Sequence, residues 1–385
     1  VSSEGQARIE IDPAKTRPLP ARGLGPGAGG PLSPVDRDLL LALRSDHVRF
    51  DLRPSLAGLP EAMASAMAAS TALGAALHLA VFVGDDPEAE LKALAAAAER
   101  LQPRVALWLL FREATRTTSY GLVAQARSFL APFTPGARFG GGTDGFFVDL
   151  NRQRPSAAEF DQVSFAWSPQ VHLPDDETIA ENQASLPWIA ESARAFVGTC
   201  PLALSPVTLE PRPAAARPAE PAPADPRLHA RFGAAWAAAF LAAAAQGGFA
   251  SLTLLEPAGA RGVVCDGKGT PLYHVLADVA DFGGGVVVEA AAEGKAGLGA
   301  LVLRREAQLR TLVWNLRGSP GRARVLGLGR SARIQRLGES EQGDATAAPA
   351  AFRSRPAEVM RPGRDGYDLL LGPHEVVRLD TVHAD

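Results

Sequence analysis

Two short stretches carry residues whose types and placing suit acid–base chemistry. In FGGGTDGFFVDLNRQRP, Phe139 to Pro155, an apolar run ends in Asp149, and Asn151 and Arg152 follow at once. In SLTLLEPAGARG, Ser251 to Gly262, another apolar run ends in Glu256, with Arg261 close behind. A carboxylate leaving the end of an apolar strand is partly desolvated, which lifts its pKa toward the range of a useful general base. Two such carboxylates at the carboxyl ends of strands in one parallel sheet are how many barrel enzymes hold their chemistry. The competing readings are structural. Asp149 would also serve as a helix cap or a partner of Arg152 or Arg154, and Glu256 as a charge simply leaving the barrel.

Other residues join these with weaker signals. His172, in Pro-Gln-Val-His, follows an apolar run, and a histidine there could shuttle a proton; Gln170 beside it could bind a hydroxyl. Asn151 and Arg152 are placed to orient the first carboxylate or a substrate oxygen. Arg112, ending the run RVALWLLF, could bind a carboxylate or ring oxygen, or pair with Glu113. Tyr273 and His274 fall within a helical stretch and read as structural. The glycines 140–142 lack the Lys-Ser/Thr of a phosphate loop. The seven histidines are scattered, without HxH or HExxH spacing, and the two cysteines, Cys200 and Cys265, have no ligand spacing around them. Neither a metal nor a cofactor is expected.

The elements that must position these groups alternate along the chain. Strands are expected at 47–54, 76–84, 104–111, 140–150, 162–169, 201–211 and 249–256, with helices at 56–74, 85–101, 119–130, 175–196, 228–248 and 271–282. The helix over 175–196 should bend at Pro187. Counting Arg22-Gly23-Leu24-Gly25 as a first strand gives eight strand–helix units over 18–284. That is the size and rhythm of an α/β protein built on a (β/α)8 barrel. The strand runs are apolar on successive residues, as strands covered on both faces should be. A Pro/Ala-rich insertion near 211–226 interrupts the barrel and reads as disordered. From 285 to 385 the rhythm changes to short Val- and Arg-rich runs between turn residues, which predicts an antiparallel, β-sandwich-like domain. The N-terminal segment 1–17 contains RIEI, a lone strand that could pair with that domain.

Composition narrows the function classes. The chain has 385 residues, 46% of them hydrophobic, so it can bury a large core. Its net charge is −3, with no run of like charge, which argues against nucleic acid or an anionic membrane as partner. No apolar stretch reaches the ~20 residues a membrane span needs. The opening residues have no signal-peptide core, so a cytoplasmic location is expected.

Together, GGGTDGFFVDLNRQRP, VSFAWSPQVHLPDDETIAENQ, LALSPVTLEPR, RFGAAWAAAFLAAAAQGGFASLTLLEPAGARGV and PLYHVLADVADF resemble the D-apionate lactonase-like family in order and content. That resemblance implies a TIM barrel related to clan-A glycoside hydrolases, accompanied by β-domains, one of them expected ahead of the segment seen here. The chain departs from the family pattern at Asp144-Gly145-Phe146-Phe147, at Asp149 in place of a Glu, and at the Ala/Pro repeats from Pro213. The implied activity is hydrolysis of a small sugar-derived lactone. Glu256 or His172 would activate water, Asp149 or Arg152 would assist at the leaving oxygen, and Asn151, Gln170, Arg112 and Arg261 would hold the substrate. The alternatives are a glycoside hydrolase using the two carboxylates, and a non-catalytic carbohydrate-binding relative. A lactone carbonyl is already electrophilic, so a positioned base and oxyanion donors suffice. Glu256→Gln is predicted to abolish hydrolysis of an aldonolactone panel while leaving the circular-dichroism spectrum unchanged; undiminished turnover would defeat the assignment.

Overall fold

The computed structural model describes residues 6–25, 32–212, 223–294 and 297–382; most of the Pro/Ala-rich insertion lies outside them. Strand β1 (Gln6–Pro18) is followed by eight strands, β2 (Ala21–Leu24), β3 (His47–Leu52), β4 (Ala76–Val83), β5 (Val105–Arg112), β6 (Arg138–Gly142), β7 (Val163–Trp167), β8 (Leu202–Val207) and β9 (Ser251–Leu254). These eight are parallel to their neighbours and close on themselves where β2 pairs with β9, Arg22 opposite Leu252. The short run at 21–24 is therefore a true barrel strand. Because side chains alternate along a strand, every second residue faces the helices and the others face the lumen. Val48, Phe50 and Leu52 of β3 and Leu79, Val81 and Val83 of β4 join the outer apolar core. His47, Arg49 and Asp51 take the intervening positions.

Two local expectations need correction. The run 140–150 is not one strand: β6 stops at Gly142, whose φ of +117° suits glycine, and a helix spans Phe147–Gln153. Asp149 thus lies in a helical first turn, where a negative charge suits the dipole. The helix over 175–196 is in three pieces, Asp176–Asn182, a 3-10 turn at Gln183–Ser185, and Leu186–Val197. Pro187 has no N–H to give the Gln183 carbonyl, four residues back, so the α-helical pattern gives way just before it.

After β9 come three short strands, β10 (Glu256–Ala258), β11 (Gly262–Cys265) and β12 (Lys268–Gly269), then the last barrel helix, Pro271–Ala280. The chain next builds β13 (Val286–Glu293), β14 (Leu298–Arg305), β15 (Gln308–Asn315), β16 (Gly321–Leu326), β17 (Ala332–Leu337), β18 (Glu358–Met360), β19 (Tyr367–Leu371) and β20 (Val376–Val382). With β1 these form one sheet in the order β18-β17-β20-β15-β14-β13-β1-β16-β19, antiparallel except where β1 meets β16. The sheet curls around its own apolar face, Ile9, Val302, Val313, Val325 and Leu369 among others. Its other face sends Leu301, Leu303 and Leu312 into the barrel's outer core. No helix among the described residues is long and apolar enough to cross a membrane.

Charge also joins the two units. Asp278 of the last barrel helix is buried and accepts from Arg353 Nη1 at 2.7 Å and Arg378 Nη1 at 2.8 Å, with Arg310 Nη1 at 3.5 Å. Burial alone would raise its pKa, but the guanidiniums of Arg378, Arg353 and Arg310 outweigh that and hold it below the ordinary 3.8. Removing this carboxylate would leave the three guanidiniums to Asp281 and Asp380 alone, at a cost of about 1–3 kcal/mol. Asp278→Asn is expected to lose stability of that order in urea titrations at pH 7. Because the folded-state pKa is depressed, the difference from wild type should be complete above about pH 4 and vanish as pH falls through that depressed value.

Candidate active site at the barrel mouth

The lumen of the barrel is divided by chemistry. On one side Ala80, Phe82, Leu107, Leu109 and Phe111 form a separate apolar cluster. On the other, a chain of polar side chains climbs from the floor to the carboxyl-terminal mouth. At its base His47 and His78 stack with ring centroids 4.0 Å apart. Gly23 makes room for them, since a Cβ there would sit 2.2 Å from the His47 ring. Burial, then the nearby Arg138 and Arg49, push His47 down to about 3, so the ring is neutral near pH 7. His47 Nε2 meets Thr253 Oγ1 at 2.9 Å, and Ser205 Oγ donates to the same Thr253 oxygen at 2.9 Å.

Arg49 takes the chain upward. Its fully buried guanidinium donates to Ser205 Oγ at 3.1 Å, Asp51 Oδ1 at 2.9 Å and Asp144 Oδ1 at 2.6 Å. Asp144, just beyond β6, takes a second guanidinium from Arg212, Nη2 to Oδ2 at 2.6 Å. Burial would raise Asp144, yet the charges of Arg212 and Arg49 prevail and lower its pKa. Clamped by two cations, it is an anchor and a poor base.

The acid–base candidates sit beside this anchor. Glu210, three residues past β8, is buried, and burial raises its pKa above the ordinary 4.5, with Glu256 and Asp225 adding to the rise. Its Oε1 lies 3.8 Å from Arg261 Nε, while Oε2 is buried without a hydrogen-bond partner among the described residues. The same Arg261 nitrogen donates to Glu256 Oε1 at 2.7 Å. The two carboxylate oxygens can therefore be no farther apart than those two contacts laid end to end. Gln170 Nε2 donates to Asp225 Oδ2 at 2.6 Å, and Arg227 donates to both Asp225 oxygens, Nη2 to Oδ2 at 2.6 Å and Nε to Oδ1 at 2.9 Å. Among the described residues no group of three His, Cys, Asp or Glu is placed to hold a metal ion.

The residues singled out from sequence divide between this cluster and its surroundings. Glu256 and Arg261 are in direct contact, and Gln170 reaches the cluster through Asp225. Asp149 lies on the same rim, because its helix follows the carboxyl end of β6, but its charged neighbour is Arg152 at 3.8 Å rather than Glu256. Asn151 accepts from Arg154 at 3.1 Å on that same helix. His172 is exposed on the loop after β7, and Arg112 closes β5 half-buried. His274 is buried against the Ala345 carbonyl, a structural role. Sequence reasoning missed Arg49, Arg212 and Glu210. Two signals were present: polar residues on alternate positions of His47-Val48-Arg49-Phe50-Asp51-Leu52, and a Leu-Glu-Pro at 209–211 that repeats Leu-Glu-Pro at 255–257.

Comparison with known proteins agrees with the barrel fold. CelM2, a bifunctional glucanase-xylanase from a metagenome library, has a TM-score of 0.65 at 11% identity, over 98% of this chain and 99% of CelM2. A GH30 endoxylanase from Clostridium papyrosolvens gives 0.64 at 10% identity, over 97% of this chain and all of the other. At such identities the likeness is one of fold. A D-apionate lactonase from Brucella anthropi is 36% identical over 72 residues, 19% of this chain and only 12% of that relative's length. Residues 29–284, the barrel beyond β2 through its last helix, match the family described as D-apionate lactonase, TIM barrel domain, and the chain belongs to that family.

Proposed function

We propose that this protein is a hydrolase that opens a small sugar-derived lactone at the mouth of the barrel. The observation that carries this reading is Glu210: a buried carboxyl with a raised pKa and one unpartnered oxygen, sharing an arginine with Glu256. Its elevated pKa makes the ionised form a stronger base than an ordinary glutamate. Glu210 takes a proton from water as the oxygen attacks the lactone carbonyl. The Arg261 cation stands beside the developing oxyanion, held there by Glu256. When the tetrahedral intermediate collapses and the ring C–O bond breaks, Glu210 returns the proton to the leaving alkoxide. Asp149, Asn151 and Arg152 on the helix after β6, Gln170 and His172 on the loop after β7, and Arg112 at the end of β5 lie toward the same end of the barrel. In this reading they bind the substrate's hydroxyls, and water attack does not depend on Asp149 or His172. Membership of the lactonase family supports lactone over other esters.

A second reading is a glycoside hydrolase. It draws on the Glu210–Glu256 proximity, since retaining glycosidases need two carboxyls ~5–5.5 Å apart. Purified protein offered aldonolactones and aryl glycosides in parallel separates the two. Lactone opening with no aryl glycoside cleavage is expected, and the reverse outcome would replace the first reading by the second.

The pH profile gives an independent check. A base must be ionised, so kcat/KM should fall on the acid side through a pKa above 4.5. Glu210→Gln is expected to lower kcat by about 10²–10⁴-fold and remove that limb. A variant that keeps both the rate and the limb would assign the base elsewhere.

A further inference from the structure

Away from the mouth, on the outer side of the barrel, a groove of about 710 Å³ lies between the barrel helices and the curled sheet. Its existence has a plain cause in the sequence. The helix Arg231–Gln246 faces it with Ala239, Ala242 and Ala243, three small residues at helical spacing. Alanines there leave a gap where larger side chains would have closed the contact with β13 and β14. The volume falls in the range of small-molecule sites, which also favour junctions between domains.

Two residues give the groove chemical character. Gln183 stands at the helix break caused by Pro187; it lines the groove and is 3% exposed. Neither its Nε2 nor its Oε1 has a hydrogen-bond partner among the described residues. A buried amide with both ends unsatisfied is costly, so the site calls for an occupant offering both a donor and an acceptor. Trp314 is the second. It is paired across the ladder with Gly299, and a Cβ on Gly299 would meet its ring at 2.4 Å, so the indole lies against bare backbone. That leaves an aromatic surface, half-buried, along the groove. The charged residues of the lining, Arg17 and Glu289, are 3.7 Å apart and neutralise each other.

We infer that this groove is a second binding site, distinct from the mouth, for a neutral saccharide. Hydroxyls both donate and accept and so meet each end of the Gln183 amide. The C–H face of a sugar ring suits the indole and the alanines. Charge pairing in the lining gives no reward to an acid or a base. This inference stands whether or not the mouth is a lactonase.

Isothermal titration of the full chain with xylose, glucose, xylobiose and cellobiose, with glucuronate as the charged control, tests it. At least one neutral sugar should saturate, and glucuronate should bind at least tenfold more weakly. Gln183→Met, which keeps the shape without the amide, and Ala242→Leu, which fills the groove, should each weaken binding at least tenfold; Glu210→Gln should leave it unchanged. Trp314→Ala should act in the same direction, and the other two variants decide the matter if it fails to fold. The inference is overturned if no neutral sugar saturates, if Gln183→Met binds as wild type, if glucuronate binds as well as the neutral sugars, or if Glu210→Gln removes the binding.

Discussion

A guanidinium with no access to solvent holds the working end of this barrel in place. From β3, Arg49 reaches across the lumen to Ser205 on β8 and Asp144 beyond β6, as well as to Asp51 on its own strand. Burying a cation is costly unless its charge and its donors are all engaged, and here two carboxylates and a hydroxyl do so. That requirement fixes much of the surroundings. Asp144 must lie within reach, so the chain turns sharply after Gly142. The lumen positions facing Arg49 are small or polar, whereas the opposite wall is filled by Phe82, Leu107, Leu109 and Phe111. The barrel is closed by packing on one side and by hydrogen bonds on the other.

Rigid polar scaffolding of this kind also separates roles among the carboxylates. Asp144 is kept ionised by two arginines and positions the rim. Glu210 is denied close partners and becomes easier to protonate. Glu256 shares an arginine with it but is itself more accessible. Environment rather than residue type distinguishes them, which is the usual basis of acid and base assignments in one pocket.

Much of the architecture was legible because parallel strands covered on both faces write themselves as apolar runs, and RVALWLLF leaves little room for another reading. The family pattern was equally plain from runs such as Leu-Asn-Arg-x-Arg-Pro. What was hidden had physical reasons. A run such as FFVDL does not by itself separate a strand from a short helix, so Asp149 was placed on the wrong kind of element. Glu210 and Arg212 abut a Pro/Ala tract that draws attention away from them, although Leu-Glu-Pro occurs in both loops. Arg49 looked like a strand residue of no account, because its meaning depends on Asp144 and Ser205, which come far later in the chain. Gln183 could be noticed only once its amide was seen to lack partners.

The position of β1 has a consequence for how the protein is made. Its residues are translated before the barrel, yet their partners, β13 and β16, are translated after it. Until then Ala7, Ile9 and Ile11, which end in the core of the curled sheet, lack the strands they pack against in the fold. The barrel can assemble in the interval, since its strands pair with near neighbours in sequence apart from the closing pair, whereas the sheet waits for strands on both sides of the barrel in sequence. A nascent chain released before those strands are made would carry β1 unpaired, a half-apolar strand open to mispairing.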